Sequence, residues 1–531
     1  MQLTRRTALK LLAAAAPMFR AAHLLRAADG STVPPIPDGP FRGSRESLST
    51  YRCPEWFRDA KFGIWAHWGP QSAAEYDDWY ARRMYIPGEP QYDYHLKTYG
   101  HPSKFGFKDV IATWKAARFD PDHLIRLYKK AGAKYFCSMA VHHDNFDLWN
   151  SKHQPKWNAM QSGPRKDIVG LFRDAARKEG LRFAVSDHLS NSFSWFAPAH
   201  LGDNDGPLAG VPYDGADPQW SDLYHDYGEM PPDFAKTAAS SAMSRDAPDS
   251  WKLNYYRRMI DLVDQHQPDL LYTDGGIPFG DYGLNLVAHL YNTGSRRTRG
   301  ATDTVFTSKS REDSVAGISI LDRERGVVDS ISPVPWQTDT CIGNWHYHKK
   351  IYDENRYKTP KFVIDMLVDI VSRNGNLMLN IPLPNDGMPD DKELKVIEGI
   401  TQWMAVNSDA IYATRPWKIF GSGPAAELKI EPGQRFQESG RKDFTSADVR
   451  FTTKGATLFA FFMGWPEKEI VIAPLATESP NIVGKIENVE LLGFRGKLGW
   501  KHDGRGLVVQ LPKQKPCEHA YVLEITGLAT A

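Results

Sequence analysis

Tyr135-Phe-Cys-Ser-Met-Ala-Val-His-His-Asp144 runs apolar for seven residues and then stops on two imidazoles and a carboxylate. Three other stretches end in the same way: Phe62-Gly-Ile-Trp-Ala-His-Trp68, Phe183-Ala-Val-Ser-Asp-His188 and Leu270-Leu-Tyr-Thr-Asp274. A strand covered on both faces reads as an unbroken apolar run, and in a β/α barrel the chemistry gathers where such strands end. Four polar clusters, each closing a run of this kind, therefore predict one shared cleft. Imidazoles, carboxylates and indoles in one cleft suit the cleavage of a sugar.

Outward from these runs the alternation continues. Asp120 is placed to cap a helix over Pro121 to Lys130, and Gly132 ends it before the next strand. The pattern repeats at Asp167 to Glu179, and late in the chain at Pro360 to Arg373 with a strand from Leu377 to Ile381. Residues 46–417 thus predict an α/β fold, a (β/α)8-like TIM barrel. Residues 418–531 change texture to short alternating strands between Gly and Pro turns, which predicts a C-terminal antiparallel β-sandwich. The Gly-, Asp- and Pro-rich stretch 201–250 breaks the rhythm and is expected to cover the cleft mouth.

At 531 residues the chain exceeds one ordinary core, as two domains require. Residues 1–28 pair Arg5-Arg6 with a short apolar run and a small-residue end, the pattern of a twin-arginine-like export signal; 29–45 reads as a linker. An exported protein, periplasmic or extracellular, is expected. Removing Arg5, Arg6, Lys10, Arg20 and Arg26 with no acidic residue takes the net charge from +1 to about −4, which gives nucleic acid nothing to bind. No stretch reads as a membrane span. The four cysteines show no paired spacing, so neither a disulfide framework nor a zinc cage is expected.

Asp274 ends a buried run just before Gly275-Gly276, where an unpartnered carboxylate costs several kcal/mol; a turn or cap Asp is the plain alternative. His142 and His143 can both swing into a cleft at a strand end and suit neighbouring hydroxyls. His67, His142 and Asp144 could also hold a metal, but no ligand spacing supports it, and no metal or other cofactor is expected. Tyr76-Asp-Asp-Trp-Tyr80 sets a carboxylate beside rings able to stack on a sugar face.

These residues resemble glycoside hydrolase family 29, the retaining alpha-L-fucosidases. The likeness is carried by Lys61-Phe-Gly-Ile-Trp-Ala-His-Trp-Gly69, Asp78-Trp-Tyr80, Ala131-Gly-Ala-Lys-Tyr135 with His142-His-Asp144, Asp269-Leu-Leu-Tyr-Thr-Asp-Gly275, Asn374-Gly-Asn-Leu-Met-Leu-Asn380, Asp386-Gly387 and Ala410-Ile-Tyr-Ala-Thr-Arg-Pro-Trp417. It implies hydrolysis of terminal fucose from a fucosylated glycan, with Asp274 as nucleophile. His67, His142 and His143 would hold fucose hydroxyls, with Tyr76 and Trp79 as aromatic contacts. Asp78 stands where the family has Glu, and so is expected to act through water. The chain departs from the family at Ser186-Asp187-His188, at Lys309 where an Arg is common, and at Trp336-Gln337 where many members have Trp-Glu. His188 and Trp336 are kept as substrate contacts. Gln cannot donate as a carboxylic acid does, so the acid/base is assigned to Glu324, with Asp339 as its alternative. A sugar-binding homologue that lost its acid, or a hydrolase of a related galactose-configured sugar, would fit the departures.

Overall fold

The computed structural model describes residues 36–228, 247–426, 438 and 443–530. The leader, most of the linker and residues 229–246 of the long insert lie outside the described residues. Eight parallel strands close a barrel: β1 (Phe62–Ala66), β2 (Tyr135–Val141), β3 (Arg182–Asp187), β4 (Leu270–Thr273), β5 (Val305–Ser308), β6 (Ile320–Asp322), β7 (Trp336–Cys341) and β8 (Gly375–Asn380). β8 returns to β1 with Phe62 opposite Leu377, so no edge is left open. β1, β2, β4 and β8 are buried at every position, as their apolar runs require.

Local chemistry sets the helices between them. The Asp120 side chain accepts from His123 N at 2.9 Å to start Pro121–Lys130, and Asp167 does the same with Gly170 N at 2.8 Å for Ile168–Lys178. Gly63 lies so close to the Tyr135 ring that a Cβ there would meet ring carbons at 2.3 Å; β1 and β2 can pack this tightly only because residue 63 has no side chain.

The C-terminal domain starts at β9 (Arg415–Ser422) and continues through β10 (Val449–Lys454), β11 (Thr457–Phe462), β12 (Glu469–Ile472), β13 (Gly484–Leu491), β14 (Gly499–Asp503), β15 (Gly506–Gln510) and β16 (Tyr521–Leu528). A five-stranded antiparallel sheet, β13-β16-β11-β10-β9, faces a three-stranded one, β12-β15-β14. Phe451, Leu458, Ile470, Ile472, Leu507 and Val509 from the two sheets share one core. The barrel side joins this domain through Arg450 Nε, which donates to Asp369 Oδ1 at 2.6 Å, both side chains buried. Among the described residues no helix is long and apolar enough to cross a membrane.

Trp336 corrects an expectation. It opens β7, at the end of the barrel opposite Asp274, and is 1% exposed. Its indole donates to Arg373 O at 3.0 Å and packs over Gly375, so it is a wall of the core and not a substrate contact. Trp336→Ala is expected to lower stability by about 3–5 kcal/mol through the cavity it leaves. The urea midpoint should fall accordingly, and a midpoint within error of wild type would contradict the core assignment.

Candidate active site

At the C-terminal end of the barrel, the residue after each of β1 to β5 is polar: His67, His142, His188, Asp274 and Lys309. Asp274 follows β4, and its backbone N donates to Asp187 O at 3.0 Å, tying it to β3. Lys309 follows β5, and its Nζ donates to Asp274 Oδ1 at 2.6 Å and to Glu324 Oε2 at 2.7 Å. One ammonium therefore holds both carboxylates. His143 Nε2 stands 3.4 Å from Asp274 Oδ2, while its Nδ1 lies 2.7 Å from the His188 carbonyl. Burial presses Asp274 toward its neutral form, but Lys309 and His143 override this and hold the carboxyl well below its ordinary value. Lys309 is pushed well above its ordinary value, because the four carboxylates around it outweigh burial.

Glu324 follows β6. Its other oxygen accepts from the Trp345 indole at 3.2 Å. The flanking Arg325 does not hydrogen-bond Glu324 but places its guanidinium 3.1 Å from Cys341 Sγ and 5.2 Å from the Trp345 ring. The cation on Glu324 is thus Lys309, which lies fifteen positions upstream.

Beside the carboxylates lies a nest of imidazoles. The His67 ring is 5.0 Å from His142, 5.1 Å from His188 and 4.6 Å from His346, centroid to centroid. Gln71 Nε2 sits 2.7 Å from His142 Nδ1. Asn380, ending β8, accepts from His67 N at 2.9 Å and donates to Trp345 O at 2.8 Å, so it fixes both. Burial drives His67 and His142 well below their ordinary values and His188 down to about 3, so these three rings are neutral. Asp78 does not need a water: its Oδ1 is 2.6 Å from His346 Nδ1, and that bond outweighs burial to hold the carboxyl below its ordinary value. The Trp79 and His143 rings stand perpendicular with centroids 6.0 Å apart, and Trp195 closes on the same imidazole at 5.6 Å.

Three other candidates stand elsewhere. Tyr76 stacks on Tyr94 at 4.0 Å and lines a side cavity of about 540 Å³ with Tyr99 and His348, so it is not shown touching the imidazole nest. Asp144 accepts from Phe146 N in its own loop and does not join the histidines. Asp339 lies beneath the site. It accepts from the Tyr272 hydroxyl at 3.0 Å and is paired with Asp322. Burial raises Asp339 to about 6, and burial with Asp339 beside it raises Asp322 well above its ordinary value, so the two share a proton near neutral pH. Gln337 is also part of this layer. It donates to Asp322 at 2.8 Å and accepts from Tyr135 at 2.9 Å.

The reading of the sequence missed Trp345 and His346. They follow β7, Trp-Gln-Thr-Asp-Thr-Cys, which has no apolar run to mark it; the dense Asn344-Trp-His-Tyr-His348 was the available signal. Of the long insert, the described part packs at this end of the barrel: Asn145 Nδ2 donates to Leu223 O at 2.9 Å, and Asp214 accepts from Tyr85 and Tyr224, each at 2.7 Å.

Comparison with known proteins agrees with this geometry. Residues 34–409 match the family model for alpha-L-fucosidase, and 441–526 match that of the alpha-L-fucosidase C-terminal domain. Tissue alpha-L-fucosidase of Homo sapiens is 26% identical over 493 residues, which is 91% of each chain. Plasma alpha-L-fucosidase of the same species is 26% identical over 505 residues, 92% of this chain and 93% of that one. The crystal structure of Thermotoga maritima alpha-fucosidase in complex with fucose superposes with a TM-score of 0.68 at 25% identity, covering 92% of this chain and 100% of that chain. With both of its domains matched and its strand ends gathered around Asp274, the chain belongs to the alpha-L-fucosidase family, glycoside hydrolase family 29, and is a glycosidase.

Proposed function

We propose that the protein is an exported retaining alpha-L-fucosidase that removes terminal fucose from glycans by double displacement. Asp274 attacks the anomeric carbon while Glu324 protonates the departing oxygen. Glu324 then takes a proton from water, which releases the sugar from the Asp274 ester. The observation that carries this is the shared ammonium. With bonds of 2.6 and 2.7 Å from one Nζ, the two carboxylate oxygens stand no farther apart than those bonds end to end. That limit keeps the pair short of the roughly 6.5–9.5 Å of inverting enzymes and leaves the retaining arrangement, at about 5–5.5 Å. The neutral His67, His142 and His188 offer hydroxyl partners, and Trp79 offers a ring face. Gln337 does not argue for a lost acid, because its amide is spent in the buried layer under the pocket.

Asp274→Ala should abolish hydrolysis of an aryl α-L-fucoside, and a 2-fluoro fucoside should label Asp274 in the wild type. Residual activity in the variant, or a label on another carboxylate, would remove Asp274 from the role. Glu324→Gln should slow cleavage of fucosylated oligosaccharides by about 10²–10⁴-fold. Aryl fucosides with good leaving groups need less protonation and should suffer less in the glycosylation step. If Asp339→Asn gives the larger loss at unchanged stability, the acid assignment moves to Asp339. A preference for aryl galactosides in the same panel would replace fucose as the substrate.

Lys309 sets the acidic limb of the pH profile. A nucleophile must be ionised, so activity is present above the Asp274 pKa and is lost as pH falls through it. With Lys309 in place that pKa is held well below its ordinary value, and removing the cation leaves burial to raise it. In Lys309→Met the acidic limb of kcat/KM is therefore expected to move to higher pH. A limb that stays in place would mean that Lys309 does not govern Asp274.

A further inference from the structure

The imidazole nest has the composition of a metal centre. One atom from each of His67, Asp78, His142 and His346 lies within 4.8 Å of all the others. The four come from the ends of β1, β2 and β7 and from the loop after β1, so the barrel itself assembles them. His67 is 3% exposed, His142 3% and His346 1%. Both ring nitrogens of His67 are buried, and among the described residues neither finds a hydrogen-bond partner. A buried polar atom left this way keeps its full desolvation cost, so the position is suited to receive a ligand.

The outer contacts also fit. Gln71 engages His142 on Nδ1, which leaves Nε2 for the hollow. A metal-bound imidazole usually donates its second ring N–H to an acceptor; the Gln71 amide nitrogen faces Nδ1 as placed, and a half-turn of that amide sets there its carbonyl oxygen, which among the described residues has no other hydrogen-bond partner. Three imidazoles and one carboxylate are a nitrogen-rich set. They suit zinc-class ions, whereas calcium and magnesium ask for oxygen ligands.

We propose that His67, Asp78, His142 and His346 bind one divalent ion of the zinc class, and that the ion and the sugar exclude one another. Four protein donors complete a tetrahedral shell. They also use up the His67 and His142 lone pairs that would otherwise meet sugar hydroxyls. The exclusion rests on the fucosidase reading, whereas the metal site does not.

The full-length chain, purified without metal-affinity steps and stripped with a chelator, is titrated with Zn²⁺ by calorimetry and with Co²⁺ by absorption. One equivalent is expected, with a Co²⁺ spectrum of tetrahedral nitrogen and oxygen ligation. His346→Ala and, separately, His346→Gln should each weaken Zn²⁺ binding by about 10-fold or more. Circular dichroism and the urea midpoint establish that each is folded. Stoichiometric binding that both variants weaken upholds the site even if no fucoside is cleaved. Absence of a stoichiometric site, or wild-type affinity in a folded His346 variant, overturns it. L-Fucose should raise the Zn²⁺ concentration needed for half saturation, and Zn²⁺ should raise KM for an aryl fucoside with kcat unchanged. Independent binding of ion and sugar overturns the exclusion alone.

Discussion

Lys309 is the charge on which the site depends. Asp274 and Glu324 are both mostly buried, and two carboxylates facing each other in a water-poor cleft repel. A cation between them removes that conflict, and here it is a compact ammonium that donates to both. Arginine would present a planar fork suited to one carboxylate at a time; lysine acts as a point charge and can sit between two. The position is fixed by the fold, because Lys309 N donates to Gly275 O at 2.7 Å, pinning the end of β5 to the turn that carries Asp274. Lys309 holds the Asp274 carboxyl well below its ordinary value, and Glu324 has a second contact in the Trp345 indole, which fixes its orientation.

Beneath this pair lies a second polar layer with its own balance. Asp322 and Asp339 are buried together, where burial raises both and the Lys309 ammonium works against the rise. Gln337 completes the layer by donating to Asp322 while accepting from Tyr135. A Glu at 337 would add a third acid and lose the donor. The departure that first suggested a missing acid is therefore explained by satisfaction of the barrel interior.

The parts of this protein that could be read from its sequence are those with an unbroken apolar signal. β1 to β4 announce themselves, and each delivers a polar residue at its end: His67, His142 with His143, His188 and Asp274. β5, β6 and β7 are short or polar, with Thr307, Ser308, Asp322, Gln337, Thr338 and Asp339 buried among them, so no pattern marked them. The loops leaving those three strands were correspondingly obscure, and His346 and Trp345 went unseen. Direction was the other gap. Tyr76 and Trp336 sit near the right motifs in the chain, but proximity in sequence does not say which way a ring points. One stacks on Tyr94, and the other seals the opposite end of the barrel.

The loop after β1 shows how a shorter side chain can serve. Glu75, Asp77 and Trp79 all take positive φ, at 51°, 74° and 59°, a conformation that costs a non-glycine residue roughly 1–2 kcal/mol. Three such residues in five persist only because the surroundings overdetermine them. Lys349 N donates to Glu75 O at 2.9 Å, Asn385 N donates to Glu75 Oε1 at 3.1 Å, Tyr76 bridges to His348, and Asn344 bonds Asp77. Every one of these anchors belongs to segments that come after β7 or β8, so the loop is strapped across the barrel mouth from the far side. The winding it enforces brings the backbone of residue 78 close enough that Asp78, one methylene shorter than Glu, touches His346 directly. Loosening the straps would therefore move Asp78 away from the histidines without changing any residue of the pocket itself.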